Sequence, residues 1–247
     1  MALVEICCGG YEDVTRAVEG NADRIELNSA LYMGGLTPAA GTMKLIRRKV
    51  NIPIIAMVRP RGGGFCYNDM NKEAMFAEAE NLLANGADGI AFGFLTLDKT
   101  VDKAATLKMT DLIHEHRMEA VFHMAFDCTE DLFQSMEDLI DCGVDRILTS
   151  GGKGRAVLAP EKIKELREKA DGRVEILPGG GIRPDNVSEF IARSGADQVH
   201  CSCRTWAKDI TTECGDVSFS YDVEHKGAYE VVSATAVNRV CEIVHSY

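Results

Sequence analysis

Four copies of one short pattern constrain this chain more than any other feature. Each copy has a glycine, one or two residues, an aspartate and an apolar run: Gly20-Asn-Ala-Asp23-Arg-Ile-Glu-Leu, Gly86-Ala-Asp88-Gly-Ile-Ala-Phe, Gly143-Val-Asp145-Arg-Ile-Leu and Gly195-Ala-Asp197-Gln-Val-His. A recurring unit of this kind signals a fold assembled from one repeated element. Glycine after a helical stretch takes the left-handed conformation that ends the helix. The short β-rich run that follows reads as a buried strand.

Four more strand-like runs lie between the copies, at Leu3–Cys7, Pro53–Arg59, Glu119–Phe126 and Val174–Pro178. Helix signals separate the strands over Pro38 to Val50, Asn71 to Asn85, Asp102 to Arg117, Glu130 to Cys142, Pro160 to Ala170 and Pro184 to Ser194. Pro38, Pro160 and Pro184 suit the first helical turn, where a missing N–H costs nothing. Alternation at this spacing implies βαβ units and a parallel sheet. Eight units in 247 residues are the count for an α/β fold of the (β/α)8 TIM-barrel type, one domain over residues 1–247. An open, doubly wound sheet is the alternative, but the Rossmann glycine fingerprint is missing after the first strand. Beyond Arg204 the pattern loosens. Thr205 to Lys226 has no periodicity, and Ala228 to Val244 regains helical spacing as the closing helix.

Lys plus Arg number 27 against 38 Asp plus Glu, a net charge of −11. An acidic chain is a poor partner for nucleic acid. No apolar run approaches the roughly 20 residues of a membrane span. Met-Ala-Leu-Val-Glu-Ile-Cys at the start reads as a strand, not a signal peptide. The nine cysteines have no disulfide-scaffold spacing and read as reduced thiols in the cytoplasm.

Side chains alternate faces along a strand. Aligning the copies on their aspartates turns Ile25, Ile90, Ile147 and Val199 toward the helices. Glu26, Ala91, Leu148 and His200 then face the interior, with Asn28, Gly93, Ser150 and Ser202 nearer the C-terminal mouth. The other strands point Glu5, Cys7, Met57, Arg59 and His123 inward. Barrel interiors normally hold bulky branched residues, so this set is unusually polar. Gathered at one mouth, these groups pair with each other around a wet pocket; the alternative is an ion-pair network that merely closes the barrel. Glu5, Glu26, His123 and His200 are the acid–base candidates.

Three segments suit an anion. Gly179-Gly180-Gly181 follows the seventh strand and can present bare N–H groups, beside Ser202 and Arg204 after the eighth strand and Ser150 after the sixth. Arg59 and Arg61 flank Pro60 before three glycines and can clamp a carboxylate or phosphate. Other motifs fail. Ser150-Gly-Gly-Lys153 lacks the flanking residues of a P-loop, and His114 and His116 do not share a helix face. No lysine stands at an inward strand position, against a Schiff-base aldolase. Cys201 and Cys203 lie on the face opposite His200 and pack against helices. Cys7 is placed at the mouth, with Cys8 and Cys66 on nearby loops.

Glu5-Ile-Cys7, Ala22 to Leu27, Gly34 to Pro38, Arg59 to Gly63, Phe122-His123, Ala125-Phe-Asp127, Val144 to Gly151 and Pro178 to Ile182 together resemble the CutC family, named for copper homeostasis. The resemblance runs over residues 3–204. It implies a cytoplasmic TIM barrel, a homo-oligomer, with its polar cluster at the C-terminal mouth and Asp127 added to the catalytic candidates. A copper site would rest on thiols ending the first and second strands. Cys7 matches the first; Asn28 stands where many relatives have Cys, and Met124 replaces the family's usual Arg after the His.

Three functions follow as expectations. One is a CutC-like copper homeostasis protein that binds Cu(I) weakly through Cys7. Another is a metal-independent isomerase, epimerase or lyase acting on a small anionic or phosphorylated metabolite. The third is a non-catalytic binding or scaffold barrel. Fold analogy alone does not choose among them.

Overall fold

The computed structural model describes residues 2–247. In chain order the elements are β1 Leu3–Cys8, α1 Tyr11–Glu19, β2 Arg24–Leu27, α2 Ala40–Arg47, β3 Ile54–Met57, α3 Asp69–Ala84, β4 Gly89–Phe92 and α4 Lys103–Glu115. There follow β5 Glu119–Phe122, α5 Leu132–Asp141, β6 Arg146–Thr149, α6 Pro160–Ala170, β7 Glu175–Pro178, α7 Val187–Ser194 and β8 Gln198–Cys201. The last part holds β9 Arg204–Lys208, β10 Glu213–Cys214, β11 Val217–Ser218, β12 Ala228–Val232 and α8 Ala234–Val244.

Strands β1 to β8 form one parallel sheet in the order β7-β6-β5-β4-β3-β2-β1-β8. A parallel bridge between Gly179 and His200 joins its two ends, so the sheet curls into the expected (β/α)8 barrel. The main apolar core lies between strands and helices, where Ile25, Ile90, Ile147 and Val199 are fully buried as the alternation requires. A second, smaller cluster of Ile55, Met57, Ala91 and Val121 fills the barrel interior.

The repeated aspartates have a physical role. The Asp23 carboxylate accepts the Val4 N–H, Asp88 accepts that of Ile54 and Asp145 that of Ala120, each at 2.8 Å. Each repeat therefore caps the first turn of pairing on the preceding neighbour strand. Asp197 departs from this: its main-chain carbonyl takes the Leu3 N–H at 2.9 Å, while its carboxylate pairs with Arg167. Asp23 also holds His245 at 2.8 Å, tying the end of α8 to the barrel. Asp23→Ala should thus lower unfolding free energy by about 1–3 kcal/mol, the cost of orphaning a buried donor; urea denaturation checks it.

Gly86, Gly143 and Gly195 adopt positive φ as expected, but Gly20 does not. There the left-handed residue is Asn21, at φ 65. Gly20 is instead a close-packing residue, because a Cβ would lie 2.5 Å from Cβ of Val237 on α8.

Element boundaries differ from expectation in several places. Of the three prolines only Pro160 opens a helix; Pro38 precedes the extended Ala39 that caps α2, and Pro184 lies in the turn before α7 in which the Asn186 and Val187 N–H groups bond the Arg183 carbonyl. The fifth strand stops at Phe122, since Met124–Cys128 turns into a 3-10 helix capped by His123. Ala228–Val232 is strand β12, paired antiparallel with β9, and only Ala234 onward is helix. Its Tyr-Glu-Val-Val sequence alternates with β-favouring residues, and that preference prevails. Cys8 is the last residue of β1, not a loop residue, and is fully buried against the helices.

The segment from Arg204 to Val232 is an excursion that leaves β8 and returns at Ser233, whose N–H bonds the Cys203 carbonyl at 2.9 Å. Asp13 on α1 accepts the Val232 N–H at 2.8 Å and fixes the return. No helix among the described residues is long and apolar enough to cross a membrane.

Candidate functional site at the barrel mouth

The β1–β8 register sets Glu5 beside His200, and the β1–β2 register sets Cys7 beside Glu26. All four side chains point inward. His200 Nδ1 lies 2.7 Å from Glu5 Oε1, and its Nε2 lies 3.9 Å from Glu26 Oε2. Asn28 donates to Glu26 Oε2 at 2.8 Å and reaches the Cys7 Sγ at 3.5 Å. The result is a buried chain of carboxylate, imidazole and carboxylate, open at one end to a cavity of about 260 Å³.

Beneath it lies a polar layer outside the inward-facing set expected from the strand alternation. Arg24 donates to Glu5 Oε2 at 2.5 Å and to Gln198 at 2.8 Å. Arg146 bonds Glu175 at 2.7 Å and Glu119 at 2.8 Å. Extending the alternation two residues back from Glu26, Leu148 and His200 reaches Arg24, Arg146 and Gln198, so a signal for this layer existed in the sequence.

These contacts set the ionisation. Burial would raise the Glu5 carboxyl, but the Arg24 guanidinium and the His200 hydrogen bond outweigh it and hold it at about 2. Glu26 is raised, chiefly by burial, with the Glu5 charge adding to it. Burial would lower His200, yet the Glu26 and Glu5 carboxylates prevail and raise it.

His123 and Arg59 complete the cavity wall. His123 Nδ1 accepts the Ala125 N–H at 3.1 Å, so the neutral ring carries its proton on Nε2. Burial and the Arg59 charge keep it neutral, pushing it down to about 3. Gly93 makes room for this ring, since a Cβ there would lie 2.5 Å from His123 Cε1. Arg59 is held by four backbone carbonyls, those of Met33, Gly34, Gly35 and Gly63, at 2.8–3.1 Å.

The structure thus brings Glu5, Cys7, Glu26, Arg59, His123 and His200 together, with Ser202 and Arg204 at the rim. Gly179 packs beside His200 and Leu148 of the cavity wall, but the other expected residues stay out. Asp127 spends both oxygens on the loop after β6, accepting from Thr149 Oγ1 and the Ser150 and Gly152 N–H groups. Ser150 turns to the Lys153 carbonyl. Arg61 is exposed and folds onto the carbonyls of its own loop and the Tyr67 ring. Gly180 and Gly181 press against Arg155 instead of the cavity. Cys66 is exposed, and Cys201 and Cys203 are buried behind the barrel as expected. Phe65 and Glu230 also line the cavity; they come from a loop and from the excursion, and no periodicity announces them.

Cys7 Sγ, a Glu26 oxygen and a His200 nitrogen lie within 4.8 Å of one another. With Glu5 holding the other imidazole nitrogen, these residues fit a loosely held metal ion. Only one donor is soft, however, and burial together with the Glu26 charge keeps the Cys7 thiol protonated. Asn28 contributes no second thiol.

A closed parallel barrel with titratable groups converging at the C-terminal strand ends defines a TIM-barrel protein with a polar mouth site. The CutC family model matches residues 2–205. A family protein CutC of Treponema denticola is 43% identical over 80% of this chain and 79% of its own. The copper homeostasis protein cutC homolog of Mus musculus is 39% identical over 82% and 74%. The crystal structure of the putative copper homeostasis protein CutC from Streptococcus agalactiae superposes with a TM-score of 0.77 at 31% identity, covering 82% of this chain and 99% of that one. The chain belongs to the CutC family of copper homeostasis proteins.

Proposed function

We propose that the barrel mouth is an acid–base site for a small oxygenated metabolite, with isomerase, epimerase or lyase chemistry. The observation that supports it is the buried Glu5–His200–Glu26 chain opening onto a cavity. The Glu26 carboxylate takes a proton from carbon next to a carbonyl, and the C–H electron pair moves onto the carbonyl oxygen. Return of the proton to the other face, or to the neighbouring carbon, gives the epimer or isomer. Expulsion of a β-oxygen gives the lyase product. His200, oriented by Glu5, stores and returns the proton.

Incubation in D2O with a panel of hydroxy acids, keto acids and sugar phosphates, read by NMR, tests this. Wild-type protein should wash deuterium into one of them, and Glu26→Gln should slow that by at least about 100-fold. No exchange across the panel, or equal exchange in the variant, overturns the reading.

A second reading is favoured by the clustering of Cys7, Glu26 and His200: weak Cu(I) binding. Bound copper would supply a Lewis acid at the mouth. Cys7→Ala should then weaken Cu(I) retention in competition with a chromogenic chelator by roughly tenfold or more, the loss of one soft ligand being worth over 1.4 kcal/mol. Equal affinity in both proteins removes copper from this position. The same reading places the protein in the reducing cytoplasm as a homo-oligomer. Its support is nine unpaired cysteines and the exposed apolar Ile210, Phe219 and Val223 on the excursion.

A further inference from the structure

Among the described residues five buried polar side-chain atoms have no hydrogen-bond partner, and three of them belong to residues of the mouth cavity: Asn28 Oδ1, Arg59 Nε and His123 Nε2. Native structures rarely leave such atoms unpaired, and when they do a ligand, ion or water is the usual missing partner. Their residues are 1%, 7% and 3% exposed, so bulk solvent does not serve them.

The three have complementary chemistry. Arg59 Nε–H and His123 Nε2–H are donors, and both residues lie against the Phe65 ring, at 5.1 and 5.0 Å from its centroid. Arg59 is a buried cation whose four partners are backbone carbonyls, with no carboxylate among them. A buried charge without a counter-ion is costly. Glu26 does not fill that role, because its charge faces His200 and Asn28. Asn28 Oδ1 is an acceptor, and its own NH2 is already committed to Glu26, which leaves it free to receive a proton donor. At about 260 Å³ the cavity falls below the range for drug-sized ligands.

We infer that the cavity takes a compact 2-hydroxy carboxylate, its carboxylate received by the N–H groups of Arg59 and His123 and its hydroxyl donating to Asn28. The inference builds on the acid–base reading and names the substrate class for it. In this pose the carbon bearing the hydroxyl is brought toward Glu26, the group that would take its proton. The carboxylate supplies the negative charge that the Arg59 surroundings lack. A phosphate would also answer Arg59, but it offers Glu26 no carbon-bound proton beside a carbonyl, and the cavity leaves little room for a carbon skeleton beyond it.

The test is binding, measured by titration calorimetry on the whole protein. Glycerate and lactate should bind; lactamide, which lacks the charge, and propionate, which lacks the hydroxyl, should each bind at least tenfold more weakly. His123→Phe preserves the contact with Phe65 and should weaken lactate at least tenfold, as should Arg59→Met. If Arg59→Met does not fold, His123→Phe alone decides. Asn28→Leu should abolish the preference for lactate over propionate. Inorganic phosphate binding more tightly than glycerate, lactamide matching lactate, or both His123→Phe and wild type binding alike would overturn the inference. Deuterium exchange separates the two readings: bound lactate without exchange in wild type sinks the catalytic reading and leaves this one. Exchange on a substrate lacking either group does the reverse.

Discussion

Arg24→Met is expected to destabilise the protein by about 3–5 kcal/mol at pH 7, the usual cost of stripping one partner from a buried ion pair. Glu5 and Arg24 are both at least nine-tenths buried, and among the described residues their contact is the only ion pair in which Arg24 takes part. Removing the guanidinium leaves the Glu5 carboxylate its His200 hydrogen bond and the weaker pull of the Arg146 charge. Glu5 is held at about 2 against an ordinary 4.5, so its carboxylate contributes stability that is fully present above pH 4.5. That contribution drains away as the pH falls toward 2. In Arg24→Met the carboxyl rises, so the loss on acidification should be smaller than in wild type, although stability starts lower. Adding Glu5→Leu should restore much of the deficit, because a buried pair replaced by apolar groups is often neutral. Urea unfolding at pH 7 and pH 4 measures all three. A deficit below about 1 kcal/mol at pH 7 would mean the pair is hydrated and not the structural floor of the site.

The barrel was legible because its local rules are redundant. Each glycine–aspartate copy carries a helix stop and an apolar strand in one stretch, three of the four add a strand-capping carboxylate, and the first copy tolerates Asn21 in place of Gly20 at the left-handed position without loss of the pattern. Inward positions followed from the same alternation, which is why Glu5, Glu26 and His200 meet. What failed was anything decided by loop conformation. Asp127 and Arg61 are polar and adjacent to the mouth in sequence, but Asp127 turns to the N–H groups of the loop after β6 and Arg61 to the carbonyls of its own loop. The alternation does point Arg59 inward; what no spacing rule reveals is that its guanidinium is held there by carbonyls of a loop some 25 residues away. The Ala228–Val232 segment shows the converse limit. Its apolar residues satisfy helix and strand periods about equally, and pairing with β9 settles the matter.

His200→Asn is expected to slow deuterium exchange by about 10²–10⁴-fold, the usual contribution of a positioned acid–base group. Asn keeps a donor toward Glu5 and loses the ring nitrogen that faces Glu26 at 3.9 Å, so the fold is retained while the relay is cut. The pH dependence of stability supplies an independent reading. The folded protein raises His200 above its ordinary 6.5, the two carboxylates outweighing burial. The imidazolium therefore contributes stability that is fully present below pH 6.5 and is lost as the pH climbs through the raised folded value. Wild-type protein should lose stability across that alkaline window, and His200→Asn should be flat there apart from changes shared by both. The two measurements constrain each other. If exchange falls but the alkaline slopes of unfolding free energy stay equal, His200 shapes the cavity without carrying the proton. If the slopes differ but exchange survives, the charge is structural and Glu26 works without it. Only the joint loss of rate and slope is what a buried carboxylate–imidazole–carboxylate relay requires.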